Sequence, residues 1–169
     1  MADPTLAHAF TGPVYIATAC ADGRRAGCLV GFATQVSMDP ERFLVCISRA
    51  NATFPVAMAA ERLAVHGVTE AERGLAELFG GETGDDVDKF ARCDWEPAAD
   101  GTPVLTGCPT WFLGLIVDRV DLGDHVGCVV EPERWHGGDT IVQLTERDLG
   151  EVAPGHPASS DRTSRRPRR

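Results

Sequence analysis

The chain of 169 residues has one lysine, Lys89, against fifteen arginines, and none of its six cysteines forms a C-x-x-C pair. Without close paired ligands a zinc site is not expected, and no metal is assigned. Cys28, Cys46 and Cys128 lie in apolar runs, where a free thiol behaves as a small hydrophobe. The N-terminus, Met-Ala-Asp-Pro-Thr-Leu, lacks the basic and apolar regions of an export signal. Reduced thiols in the cytoplasm are therefore the expectation. No apolar stretch approaches the ~20 residues that cross a bilayer, so no membrane span is expected. Positive charge is confined. The last nine residues hold five Arg and one Asp, or +4, so a net charge of −9 leaves −13 on the remainder. An acidic body argues against general nucleic-acid binding, which needs basic surface to neutralise phosphates. G-x-S-x-G, P-loop, H-E-x-x-H and G-x-G-x-x-G signatures are absent as well. Chemistry on this chain is expected from a bound cofactor rather than from a side-chain nucleophile.

What is present reads as strands. Hydrophobic residues make up 43 % of the chain, enough for one domain with a real core. Residues 11–20 are β-prone and end at the turn signal Ala21-Asp22-Gly23; residues 26–36 form the partner of a hairpin. Gly27 and Gly31 within that second strand mark a bulge or a close approach by a ligand or another backbone. After Met38-Asp39-Pro40-Glu41 comes a continuous apolar strand, 42–48, expected to be buried on both faces. Residues 53–61 read as a helix and 63–66 as a short strand. Thr69-Glu70-Ala71-Glu72 is a capping box, opening a helix that carries Leu75, Leu78 and Phe79 and stops at Gly80-Gly81. Residues 85–90 read as a short helix or loop, and 96–102 as a polar loop. Strands follow at 111–120, 124–130 and 140–145. The expected domain is 1–149, with 150–169 a disordered, Arg-rich tail. Many strands, few helices and no β-α alternation point to a mainly β antiparallel barrel or sandwich.

Three stretches are candidates for function. Ser48, Arg49, Asn51 and Thr53 stand between a strand and a helix start. Hydroxyls and a guanidinium beside free N–H groups make an anion cradle. Simple helix capping explains the same residues, and from them alone it is favoured. Leu29, Val30, Gly31, Phe32, Ala33, Thr34 and Gln35 set small residues among apolar ones, so a flat ligand can reach the backbone. An ordinary core strand with a glycine bulge is the alternative, and is favoured without further information. His125, in Gly123-Asp124-His125, is placed to donate a proton or a hydrogen bond, or else is structural, with Asp124 closing the turn.

Taken in order, V-S-x-D-P, the Ser48–Thr53 segment, D-K-F, Trp95, G-x-P-V-L and G-D-H resemble the flavin reductase-like family over roughly residues 10 to 145. That resemblance implies a six-stranded antiparallel Greek-key split barrel with short inserted helices, working as a homodimer. It implies FMN or FAD as cofactor, with Leu29 to Gln35 along the ring system and Ser48, Arg49, Asn51 and Thr53 on the phosphate. It places His125 near the flavin and the nicotinamide. The implied activity is NAD(P)H-dependent flavin reduction, with NADH or NADPH as co-substrate and reduced flavin passing to a separate oxygenase. One departure is that Leu29-Val30-Gly31-Phe32 stands where many members carry a polar T-x-N-S segment, which moves flavin contacts onto the backbone. The alternatives are a non-catalytic flavin-binding module, and a barrel that has lost flavin or takes another flat cofactor.

Overall fold

The structure is a computed structural model that describes residues 6–82, 84 and 86–150. Of the expected tail, only Gly150 lies within it. Among the described residues nine strands form: β1 (Tyr15–Ala21), β2 (Arg24–Val30), β3 (Ala33–Met38), β4 (Glu41–Ser48), β5 (Arg62–Gly67), β6 (Glu96–Pro97), β7 (Pro103–Val104), β8 (Thr110–Asp121) and β9 (His125–His136). Four short helices are α1 (Leu6–Ala9), α2 (Phe54–Ala59), α3 (Arg73–Gly81) and α4 (Glu146–Leu149).

Seven strands make one sheet in the order β2-β1-β5-β8-β9-β4-β3, and every pairing in it is antiparallel. Its two ends, β2 and β3, are joined by Gly31 and Phe32 alone. Two residues cannot span an open sheet, so the sheet curls until its edges meet, and a barrel results. The expected strand 26–36 is thus broken at Gly31-Phe32, and this sheet has seven strands where the family resemblance implies six. The Phe32 carbonyl still accepts the Cys46 N–H at 2.9 Å, holding the corner to β4.

Alternation along the strands divides the core. Ala17, Ala19, Val30, Val45, Ile47, Leu63, Val65, Cys128 and Val130 point to one cluster, against which α2 packs Val56 and Ala57. Ile16, on the opposite face of β1, joins a second cluster with Val68, Phe79, Phe90 and Leu105 beneath α3. Arg119 donates to the Ala57 and Ala60 carbonyls, closing the C-terminal end of α2.

Several expectations are corrected. β4 is not buried on both faces: Val45 and Ile47 are buried, but Cys46 and Ser48 are half-buried because their side of the strand borders a cavity. The capping box at Thr69 and Glu72 forms, but it opens a 3₁₀ turn, Glu70–Glu72; α3 begins at Arg73 and stops at Gly81, where the sequence places its end. Gly27 marks packing rather than a bulge, since an added Cβ would stand 2.7 Å from Phe79 Cε1. The expected polar loop 96–102 contains β6 and the turn that pairs it with β7. Lys89–Arg92 is a 3₁₀ turn. Residues 140–145 are not a strand. They run alongside the barrel through a Pro13–Thr145 bridge, and Thr145 then caps α4 by exchanging hydrogen bonds with Asp148.

Candidate functional site

A cavity of about 370 Å³ opens at the corner between β2 and β3. The backbone stretch from Cys28 to Phe32 forms one wall; Cys46 and the segment Ser48 to Asn51 form another. Asp124, His125 and Glu146 complete it. Antiparallel register explains how distant residues meet: Ser48 on β4 pairs with His125 on β9. Of the sequence candidates, Leu29, Val30, Gly31, Phe32, Ser48, Arg49, Asn51 and His125 share this cavity. Ala33, Thr34 and Gln35 do not; they continue along the sheet-edge strand β3, with Thr34 and Gln35 exposed. Thr53 does not line it either. It is buried and lines a neighbouring cavity.

The donor-rich segment is shaped largely by its own hydrogen bonds. Asn51 Oδ1 accepts the Thr53 N–H at 2.9 Å, and Ser48 Oγ accepts the Ala50 N–H at 3.3 Å. These are the capping contacts of the simpler sequence reading. They leave the Ser48 O–H and the Asn51 amide N–H groups as donors beside the cavity. α2 has only six residues and no side-chain cap at Thr53, so its dipole adds little. Arg49 turns toward the β8–β9 turn: its Nε–H donates to the Gly123 carbonyl at 2.9 Å, and Nη2 lies 3.0 Å from Asp121 Oδ1. The Gly123 N–H and the Arg49 guanidinium together hold the Asp121 carboxyl below its usual range.

His125 Nδ1 is 2.7 Å from Asp124 Oδ1, and its ring lies 5.2 Å from that of Phe32, tilted by 58°. The contact holds the Asp124 carboxyl below its usual range and fixes Nδ1–H as donor, so that Nε2 is the second ring position. Asp124 therefore does more than close a turn. Glu146 also escaped the sequence reading. Its carboxylate lies against Gly31, where an added Cβ would fall 1.9 Å from Oε1. The signal for it was Thr145-Glu146-Arg147-Asp148, a second Thr-x-x-acid helix start.

The cavity thiols are not nucleophiles. Burial pushes Cys28 up to about 11 and raises Cys46, so both stay protonated at neutral pH. The donor set instead suits a bound molecule with an anionic group and a flat apolar part. A volume of about 370 Å³ falls in the ordinary range for small-molecule sites. Two other cavities, of about 460 and 500 Å³, are larger, but their charges serve the fold. Arg25 pairs with Asp88 at 3.6 Å and lies over the Trp95 ring, and the Lys89 ammonium donates to the Phe79 and Gly27 carbonyls. Among the described residues no His, Cys, Asp and Glu group has metal-binding geometry, and no helix is long and apolar enough to cross a membrane.

Comparison with known proteins identifies the family. The profile of the flavin reductase like domain matches residues 7–144. The chain is 34 % identical over 120 residues to the FMN reductase (NADH) RutF 2 of Methylorubrum extorquens, covering 70 % of this chain and 69 % of that one. It is 32 % identical over 104 residues to the stachydrine N-demethylase reductase subunit Stc3 of Rhizobium meliloti, covering 62 % and 44 %. It spans less than half the length of the first curated relatives it matches. Its fold superposes on the FMN-binding protein of Thermus thermophilus with a TM-score of 0.78 at 21 % identity, covering 92 % of this chain and 91 % of that one. The chain belongs to the flavin reductase-like family.

Proposed function

We propose that the chain is an NAD(P)H-dependent flavin reductase that takes FMN in the cavity between Gly31 and His125. One observation carries this: three stretches far apart in sequence, Cys28–Phe32, Ser48–Asn51 and Asp124-His125, line a single cavity. The flavin, when bound, supplies the hydride-accepting N5 position to which the nicotinamide transfers. The protein's part is placement and exclusion of water. The backbone of Leu29 to Phe32 packs along the ring system, among apolar side chains and with Gly31 bare. Ser48, Arg49 and Asn51 donate to the phosphate. Thr53 supports this segment from behind, and Ala33, Thr34 and Gln35 extend the wall along β3. His125, held at Nδ1 by Asp124, orients the nicotinamide through Nε2.

Phe32, Val36 and Met38 expose apolar side chains at or along β3, whose outer edge is unpaired among the described residues. That edge supports a homodimer, with β3 near the shared boundary; elution at twice the chain mass is expected, and a monomer in the presence of FMN would remove this part of the reading. Stc3 is named a reductase subunit of a demethylase, which supports delivery of reduced flavin to an oxygenase partner. Six free cysteines fit a cytoplasmic setting.

The test is oxidation of NADH and NADPH with FMN or FAD, measured against a control without protein. Flavin-dependent turnover, fastest with FMN, is expected. Quenching of flavin fluorescence without turnover would replace the reductase with a flavin-binding module, and absence of quenching would end the flavin reading.

A further inference from the structure

Among the described residues lining the cavity Arg49 is the one guanidinium, and Asp124 and Glu146 place two carboxylates there. A phosphate, carrying about −1.5 to −2 at neutral pH, therefore depends on Arg49 for charge compensation. Arg49 is already engaged. Nη2 lies 3.0 Å from Asp121 Oδ1, and the Nε–H is given to the Gly123 carbonyl at 2.9 Å. Its own backbone N–H donates to the Asp124 carbonyl at 2.9 Å, so the strand end and the β8–β9 turn are tied at two points. Asp121 is itself fixed, because Oδ1 accepts the Gly123 N–H at 3.0 Å.

We propose that Asp121 competes with the ligand's phosphate for Arg49, and so sets how tightly phosphorylated flavins are held. This rests on the reading that Arg49 binds the phosphate. Both partners are accessible, with side-chain exposures of 45 % and 77 %. An exposed ion pair is weak and exchanges readily. It nevertheless subtracts from any second anion that needs the same guanidinium, and its carboxylate repels that anion. The latch keeps Arg49 near the site while lowering affinity. A flavin held this way leaves easily, as a substrate must, whereas a prosthetic group need not. The 2′-hydroxyl end of the ribityl chain and the ring system are untouched by the latch, so riboflavin, which has no phosphate, is blind to it.

Asp121→Asn tests this, because Asn keeps an Oδ1 acceptor for the Gly123 N–H while removing the charge. The readout is quenching of flavin fluorescence on binding, with FMN and riboflavin titrated separately. FMN is expected to bind about two- to fivefold more tightly to the variant, the range an exposed pair allows, with riboflavin unchanged. In an Arg49→Ala background the same substitution should lose most of this effect. Weaker or unchanged FMN binding in Asp121→Asn, while the parent protein prefers FMN to riboflavin, would overturn the proposal and leave the phosphate reading intact. Equal affinity of the parent protein for FMN and riboflavin would overturn both.

Discussion

His66 and His125 occupy different strands of the same sheet and face different surroundings. His66 on β5 is fully buried; Nδ1–H donates to the Ile16 carbonyl at 2.9 Å and Nε2 accepts the Leu105 N–H at 2.9 Å. His125 is partly exposed at a cavity, with Nδ1 engaged by the exposed Asp124. Lys89 follows His66: it is buried, and its ammonium donates to two carbonyls. Arg49 follows His125: it is partly exposed and pairs with an exposed carboxylate. In the first region polar atoms are consumed by distant backbone and hold loops to the barrel. In the second they lie at the surface and pair with the exposed carboxylates of Asp121 and Asp124, which leaves them within reach of solvent. A polar residue's partners, rather than its identity, separate structure from function here.

The comparison breaks most visibly at His66. His66→Gln cannot satisfy both backbone groups, and a loss of about 2–4 kcal/mol is expected, since each orphaned buried group costs ~1–3 kcal/mol. Urea unfolding measures it, and FMN affinity of the folded protein should stay within about twofold. Acid adds a second signature. Burial lowers the His66 pKa from 6.5 to about 4, below its unfolded value. The unfolded chain therefore takes the proton first, so this contribution is complete above about pH 6.5 and fades as pH falls to about 4. The amount is roughly 3 kcal/mol, and the variant should lack that part of the slope. An identical slope in both proteins would contradict the assignment.

Arg49→Ala should do the opposite, leaving stability nearly unchanged and weakening FMN by roughly 1.5–3 kcal/mol, the range for hydrogen bonds to charged groups. Fluorescence titration reads this directly, and unchanged FMN affinity would sink the role given to Arg49. Two glycines sharpen the contrast at smaller scale. At Gly114 an added Cβ would stand 2.4 Å from the Glu131 carbonyl oxygen and 2.6 Å from Val130 Cγ1, and paired backbone cannot give way. Gly114→Ala is expected to cost about 1–3 kcal/mol in thermal or urea unfolding. At Gly31 the obstacle is the end of the Glu146 side chain, which can swing aside. Gly31→Ala should therefore fall within about 0.5 kcal/mol of the parent, helped by a stiffer unfolded chain.

Local patterns in the sequence translated well into structure. The β1–β2 hairpin follows from Asp22-Gly23 between β-prone runs, and the capping box from Thr69 and Glu72. The β6–β7 hairpin and the extended run 140–145 depart from the local pattern because tertiary contacts decide them. The Pro103 carbonyl accepts from Thr18, the Leu105 N–H donates to His66, and the Leu144 N–H donates to the Val68 carbonyl. The cavity was legible in part. Ser48, Arg49 and Asn51 stand out as a polar run closing an apolar strand, and His125 as a titratable residue opening one. That Thr53 turns inward, and that Arg49 is held by groups as far as 74 residues away, depends on the pairing of β4 with β9. No local pattern encodes that register.

The central claim is that flavin binds at the β2–β3 corner rather than in the larger cavity beneath α2. Amide-resolved NMR of the protein titrated with FMN tests it most directly. The account predicts shifts at Leu29 to Phe32, Ser48 to Asn51 and His125, with His66 and Leu105 silent. Shifts centred instead on Arg24 to Gly27 and Val87 to Phe90, around the cavity of about 460 Å³, would contradict it.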